Sequence, residues 1–191
     1  IRFDFSEDRK PQNLRHYSGD RQADEALLEK LCRQGMPYRY PDPGPEIEKR
    51  LEKELQLIKA KGFVSYFLIN WDIVSEARRR GFFYVGRGSG ANSIVAYLLR
   101  ITDVDPIELD LYFERFINLF RANPPDFDID FSWRDREEIT RYIFERFEHV
   151  ALLGTYVTFR ERGIIRELGK VFGLPKAEID QLCAGQYPAS R

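Results

Sequence analysis

Between Pro125 and Phe131 the chain reads Pro-Asp-Phe-Asp-Ile-Asp-Phe, an alternation of carboxylate and apolar side chains. A period of two belongs to extended backbone, so Asp126, Asp128 and Asp130 share one face of a strand while Phe127, Ile129 and Phe131 share the other. Aspartate is a poor strand former, and carboxylates two residues apart on one face repel, so the pattern costs stability unless a cation sits there. Carboxylate oxygens suit Mg²⁺, which usually takes one or two protein carboxylates and completes its shell with water and phosphate oxygens. Two such ions about 3.5–4 Å apart can activate an attacking oxygen and stabilise a leaving one in phosphoryl transfer. Holding both generally requires a further carboxylate from elsewhere in the fold. The plain alternative is a half-exposed strand with a solvated acidic face.

Upstream lies Gly86-Arg-Gly-Ser-Gly-Ala-Asn-Ser93, which the pattern places between a strand and a helix. Unpaired N–H groups and the positive end of the helix dipole make such a junction an anion site. Glycines let backbone approach a phosphate, and Ser89 or Ser93 can add a hydroxyl or cap the helix. No Gly-Lys-Ser/Thr follows, which rules against a Walker A loop. Gly86-x-Gly88-x-x-Ala91 also satisfies a dinucleotide-binding fingerprint, but the second parallel strand it requires would fall at the turn Thr102-Asp-Val-Asp-Pro106. A purely structural tight turn is the remaining alternative.

At 191 residues, with 43% apolar residues, the chain can bury a real core as one large or two small domains. Its 30 Lys and Arg nearly balance 31 Asp and Glu, so overall charge gives no reason to expect nucleic acid. Cys32 and Cys183 lack CxxC spacing, against both a zinc site and a disulfide framework, and a reducing cytoplasm is the expected setting. The most apolar stretch, Tyr66 to Val74, is too short to span a bilayer, and no membrane association is expected. The chain begins with Ile1 rather than Met and stops without an obvious capped element after Gln186-Tyr-Pro-Ala-Ser-Arg191, so a piece of a larger protein is expected.

Helical periods run from Asp20 to Gln34 with Gly35 as a stop, from Glu46 to Lys61 before Gly62, and from Ser65 to Arg80 before Gly81. Tyr38 to Pro45, with Pro41, Pro43, Gly44 and Pro45, reads as a loop. Phe82–Val85 is predicted as a strand, Ile94–Leu99 as a helix and Leu109–Ile117 as a short helix after a turn. The strand Asp126–Phe131 follows Pro124-Pro125, then come a helix from Asp135 to Phe147, a strand near Val150–Tyr156 and a helix from Phe159 to Phe172. Interspersed strands and helices make the class mixed α and β.

Arg78, Arg79 and Arg80 read as favourable charge at a helix C-terminus in preference to a phosphate contact. Arg162, Arg166 and Lys170 lie four apart, opposite Ile165, Leu168 and Phe172, and could follow DNA phosphates, although the neighbouring Glu161 and Glu167 favour a solvated face. His16 and His149 have no ligand-spaced partner.

Taken together and in order, these motifs resemble the alpha subunit of bacterial DNA polymerase III, the C-family replicative polymerase. The likeness rests on Tyr66-Phe-Leu-Ile-Asn-Trp-Asp72, Gly86-Arg-Gly-Ser-Gly90, Val95-Ala-Tyr97, Ile101-Thr-Asp-Val-Asp-Pro106, Phe113-Glu-Arg-Phe116, Pro125–Phe131 and the stretch Gly154 to Pro175. It implies an α+β fold: a nucleotidyltransferase-like polymerase palm over residues 1–157, with helices around a small mixed sheet, and the start of a helical thumb over 158–191. By the same resemblance Asp126 and Asp128 are catalytic metal ligands for two Mg²⁺ ions, with Mn²⁺ as a substitute, and Asp130 supports them. Gly88 and Ser89 bind the incoming deoxynucleoside triphosphate, with Arg87 and Arg115 near its phosphates.

The implied reaction is template-directed nucleotidyl transfer to a primer 3′-hydroxyl in replication or repair synthesis. Its partners are primer–template DNA, deoxynucleoside triphosphates and, through regions absent here, a sliding clamp and other replication subunits in a bacterial cytoplasm, with the chromosome. The family's third catalytic aspartate has no counterpart before Arg191, so the isolated chain is expected to be inactive. Departures include Val85 where the family has Pro, Ala91-Asn92-Ser93 for Ala-Gly-Ser, Asn118-Leu-Phe-Arg121 for Asn-Pro-Glu-Arg, and Pro124 where Met is common. They suggest a divergent branch and leave main replicative and repair-type roles open. A nucleotide- or DNA-binding module without chemistry is the second hypothesis, and a dinucleotide-dependent oxidoreductase a distant third.

Overall fold

The computed structural model describes residues 16–113, 117, 124–154, 158 and 160–185. The chain divides into two compact units, Ile1–Glu148 and His149–Arg191. In the first, helices α1 (Arg21–Arg39), α2 (Pro45–Lys61) and α3 (Val64–Arg80) precede β1 (Tyr84–Arg87), a 3-10 turn (Ser89–Asn92) and the short α4 (Ile94–Leu98). Strand β2 (Asp128–Phe131) and helix α5 (Arg136–Arg146) complete it.

Helix α1 starts where Asp20 accepts a hydrogen bond from the Ala23 amide at 2.9 Å. It does not stop at Gly35, as the sequence predicts, but continues through Pro37 to Arg39. The physical reason is packing. A Cβ at Gly35 would lie 2.2 Å from the Leu98 carbonyl oxygen, so this glycine admits the backbone of α4 and does not end the helix. The last turn is then secured from outside, because Arg39 donates to the carbonyls of Tyr97 at 3.0 Å and Thr102 at 2.9 Å. The loop expected over Tyr38–Pro45 is correspondingly shorter, since Pro45 opens α2.

Helix α2 buries Ile47, Leu51, Leu55 and Ile58, the expected apolar face, and ends at Gly62 in the left-handed conformation. Helix α3 packs Val64, Phe67, Leu68 and Val74 into the same core, and Ala77 is buried as well. Its terminal arginines are engaged locally: Arg79 and Arg80 bond Glu76 at 2.6 Å each, and Arg78 donates to the Tyr84 hydroxyl at 2.6 Å. Arg79, then Arg80, holds the Glu76 carboxyl down at about 2.

Strand β1 lies two residues beyond the predicted Phe82–Val85. The Phe82 amide donates to the Ala77 carbonyl at 2.9 Å, closing the end of α3, which removes it from any ladder. Strand β1 pairs antiparallel with β2, Tyr84 opposite Phe131, Val85 opposite Asp130, Gly86 opposite Ile129 and Arg87 opposite Asp128. The small sheet is thus an antiparallel pair among the described residues, where a mixed sheet is expected. Leu99–Pro106 forms turn and irregular backbone after α4, leaving no crossover strand to add in parallel.

Residues 109–110 form a turn and 111–112 irregular backbone, so the short helix expected near Leu109–Ile117 does not form over its first half, and 114–116 of that span lie outside the described residues. Helix α5 is joined to α3 through Asp72, which accepts from the hydroxyls of Tyr17 and Tyr142 and pairs with Arg146 at 3.2 Å. In the second unit, α6 (Glu161–Val171) packs against α7 (Lys176–Cys183) where Ile179 lies over Gly169. The strand expected near Val150–Tyr156 does not form over 150–154, and 155–156 lie outside the described residues. Leu152 and Leu153 are exposed there, and no partner strand among the described residues offers a ladder. Among the described residues no helix is long and apolar enough to cross a membrane.

Candidate functional site

The glycine-serine turn and the aspartate strand are fastened to each other. Gly90 donates its amide to the Asp126 carbonyl at 2.8 Å, and the Asp126 amide donates to Ser89 Oγ at 3.0 Å. Two glycines make this approach possible. Gly88 has φ 94°, and a Cβ there would stand 2.6 Å from the Asp126 carbonyl oxygen; one at Gly90 would meet the Phe127 ring at 2.4 Å. The ladder of β2 begins only at Asp128 because the backbone groups of Asp126 and Phe127 are already taken by these loop and side-chain partners.

The predicted division of faces holds. Phe127 and Ile129 pack against the core, while Asp126, Asp128 and Asp130 are exposed. Arg87 shares the acidic face because its register partner is Asp128. Its Nη1 donates to Asp128 at 2.9 Å and its Nε to Asp130 at 2.6 Å, with Nη2 completing a second bond to Asp130 at 3.3 Å. The Arg87 guanidinium holds the Asp130 carboxyl below its ordinary value. The face that calls for a cation therefore has one built in.

The structure brings Arg87, Gly88, Ser89, Asp126 and Asp128 into one neighbourhood. Arg115 lies outside the described residues. Arg162, Arg166 and Lys170 belong to the second unit, where Arg166 pairs with Asp180 at 3.3 Å and Lys170 with Glu167 at 2.7 Å. The stripe predicted opposite them is not a buried one, since Leu168 is 50% and Phe172 77% exposed.

Two residues at this site escape sequence reasoning. The Tyr66 hydroxyl accepts the Phe127 amide at 3.1 Å, and its ring stacks on that of Phe127 at 5.4 Å, pinning the backbone between Asp126 and Asp128. Burial, with the charges of Asp126 and Asp128, pushes the Tyr66 phenol up. Glu54, fully buried in α2, accepts from Ser93 Oγ at 2.7 Å beneath the same turn. A signal for Glu54 was present, since position 54 falls on the helical period of Leu51, Leu55 and Ile58. Tyr66 opens one of the motifs that carry the family likeness, but no local pattern marks its bond to the Phe127 amide, which spans 61 residues.

The donor chemistry of the exposed face fits a hard divalent cation, being carboxylate oxygen only. No group of three potential ligands gathers among the described residues. Asp126 and Asp128 offer carboxylate oxygen alone, the donor type that Mg²⁺ takes together with phosphate and water.

Residues 26–190 match the family described as the bacterial DNA polymerase III alpha NTPase domain. The chain belongs to this family. It is 42% identical over 167 residues to an error-prone DNA polymerase of Anaeromyxobacter dehalogenans (strain 2CP-C), covering 85% of the chain and 15% of that protein. Similarity to the error-prone DNA polymerases of Symbiobacterium thermophilum, 47% identical over 159 residues, and Ruegeria pomeroyi, 46% over 153, covers 82% and 78% of the chain. In those two the match covers 15% and 14% of the relative, so the chain spans about a seventh of the length of the curated relatives it matches. Membership of the polymerase III alpha family agrees with the α+β class and with the ordered motifs. It also removes the ground for an oxidoreductase, as does the irregular backbone over Leu99–Pro106 where a second parallel strand would be needed.

Proposed function

We propose that this chain is the nucleotide- and metal-binding part of the palm of a bacterial DNA polymerase of the error-prone type. The observation that carries the reading is the double fastening of Ser89 and Gly90 to Asp126, which sets a phosphate-type turn against a carboxylate strand. Asp126 and Asp128 would hold Mg²⁺, or Mn²⁺ in its place. When bound, two such ions supply positive charge for the attacking 3′-oxygen and the leaving pyrophosphate.

The chain's own residues orient the reactants. Gly88 gives backbone access to the triphosphate of a deoxynucleoside triphosphate, Ser89 and Arg87 bind its oxygens, and Arg115 adds charge. Asp130, bonded twice by Arg87, keeps that side chain at the site. Residues 1–157 form the palm portion and 158–191 the start of the thumb, where Arg162, Arg166 and Lys170 meet primer–template phosphates. Clamp and replication-subunit contacts lie in other parts of the full-length enzyme, which works on chromosomal DNA in the cytoplasm. Among the described residues no third ligand gathers with Asp126 and Asp128, and the 191-residue chain alone does not extend a primer.

Mn²⁺ titration followed by electron paramagnetic resonance, with and without dATP, tests this on wild type, Asp126→Asn, Asp128→Asn and Ser89→Ala. Both aspartate variants lose about tenfold or more in metal affinity, and Ser89→Ala weakens the nucleotide-dependent component. Equal metal affinity in wild type and both aspartate variants would remove the metal assignment. A second reading, a nucleotide-binding module without chemistry, is favoured by one observation: Arg87 already compensates Asp128 and Asp130. Nucleotide binding indifferent to Mg²⁺ selects that reading.

A further inference from the structure

Glu54 occupies a position where an apolar side chain is the ordinary choice. It lies on the core face of α2 among Leu51, Leu55 and Ile58, and none of its surface is exposed. Burying a carboxylate is costly unless hydrogen bonds satisfy it, and Glu54 is satisfied from several directions. Arg50 donates through Nε at 2.6 Å, Ser93 through its hydroxyl at 2.7 Å, and the Ile94 amide also donates to it. Arg50 is itself fixed by donating to the Leu111 carbonyl at 2.8 Å.

Ser93 is a relay in this arrangement. Its hydroxyl donates to Glu54 and accepts the Ala96 amide at 3.2 Å, capping α4, while its own amide donates to the Gly90 carbonyl at 3.2 Å. The turn Ser89–Asn92 is therefore held at both ends. Ser89 and Gly90 fasten it to Asp126, and Ser93 fastens it to the buried carboxylate below. A leucine at position 54 would fill the core and leave the far end of the turn without its anchor.

We infer that Glu54 is a positioning residue for the nucleotide-binding turn, acting through Ser93 to set Ser89 and Gly90 against the aspartate strand. The inference rests on the proposed function of that turn. It concerns binding of the deoxynucleoside triphosphate, and Glu54 touches no substrate.

The test uses the full-length protein with Glu54→Leu, Glu54→Gln and Ser93→Ala. Steady-state primer extension gives KM for dATP and kcat separately, primer–template affinity is measured in parallel, and thermal denaturation reports folding. In each folded variant KM for dATP rises about tenfold, as expected for a displaced hydrogen-bonding turn, while primer–template affinity stays at the wild-type value. A purely structural role would lower Tm and the active fraction without moving KM, and an unchanged KM in folded variants overturns the inference. Should Glu54→Leu fail to fold, Ser93→Ala carries the same decision from the other partner.

Ser89→Ala and Asp126→Asn separate this from failure of the underlying reading. If those two disturb dATP use and the Glu54 and Ser93 variants do not, the positioning role alone falls. If none of them does, the functional assignment of the turn falls with it.

Discussion

Arg87 lies directly opposite Asp128 in the β1–β2 ladder, and its guanidinium donates to that carboxylate at 2.9 Å while gripping Asp130 at 2.6 Å. Cross-strand neighbours share a face, so this arginine takes the place that the repelling carboxylates reserve for a cation. All three side chains are well exposed, and the bonds exchange readily with solvent and salt. A metal ion at the site proposed for Asp126 and Asp128 would compete with Arg87 for Asp128. Arg87→Ala therefore tightens Mn²⁺ binding in the absence of nucleotide, by about threefold or more, and weakens dATP binding. Weaker Mn²⁺ binding in Arg87→Ala would show that the arginine organises the carboxylates and does not compete for them.

Tyr66→Phe removes one oxygen and keeps the stacked ring. The Phe127 amide then loses its acceptor between the two proposed ligands, at a cost of about 1–2 kcal/mol in stability by urea denaturation. Mn²⁺ affinity falls as well, because the strand is free to shift at Phe127. A loss of stability with metal affinity untouched would confine Tyr66 to a folding role.

Much of this fold is written in local patterns. The apolar period of Ile47, Leu51, Leu55 and Ile58, the capping glycines Gly62 and Gly81, and the alternation of Asp126–Phe131 each carry their own physical signature and appear as expected. Gly35 shows where local patterns stop. It has the look of a helix stop, yet its use is to admit Leu98, a residue far away in sequence. Strand β1 slips by two residues for a similar reason, since the Phe82 amide is claimed by α3 and Gly86 is pressed against the Ile101 carbonyl. The aspartates and the turn could be read separately, but their fastening through Ser89 Oγ and the Gly90 amide depends on tertiary distance alone.

Two glycines in the left-handed region separate conformational strain from steric conflict. Gly81 has φ 74° and open space where a methyl group would stand, so Gly81→Ala costs about 1 kcal/mol from backbone strain. Gly88 has φ 94° and the Asp126 carbonyl within 2.6 Å of a Cβ. Gly88→Ala adds a clash to the strain and costs about 2–4 kcal/mol, with metal affinity lost in proportion to the displaced strand. Equal destabilisation of the two variants in urea would mean that the turn and Asp126 part easily.

The buried Glu54 gives the fold a pH dependence of defined sign. Burial pushes its carboxyl from an ordinary 4.5 up to about 7, against the lowering effect of the bonds from Ser93 and Arg50. The charged or titratable groups facing it are Arg50 from its own helix and Cys32 from α1, whose thiol burial pushes up to about 12. Between pH 4.5 and about 7 the unfolded chain has released the Glu54 proton and the folded chain retains it. Stability from this group is therefore complete below about pH 4.5, falls as pH rises, and is gone above about pH 7, a loss on the order of 3 kcal/mol. Glu76, held down at about 2 by Arg79 and Arg80, acts with the opposite sign and only at lower pH, so the two windows do not overlap. Urea denaturation at about pH 5 and about pH 7.5 should show the decline in wild type and a flatter profile in Glu54→Gln, whose side chain cannot titrate. Parallel profiles for the two proteins would assign the pH dependence to other groups and leave Glu54 ionised throughout.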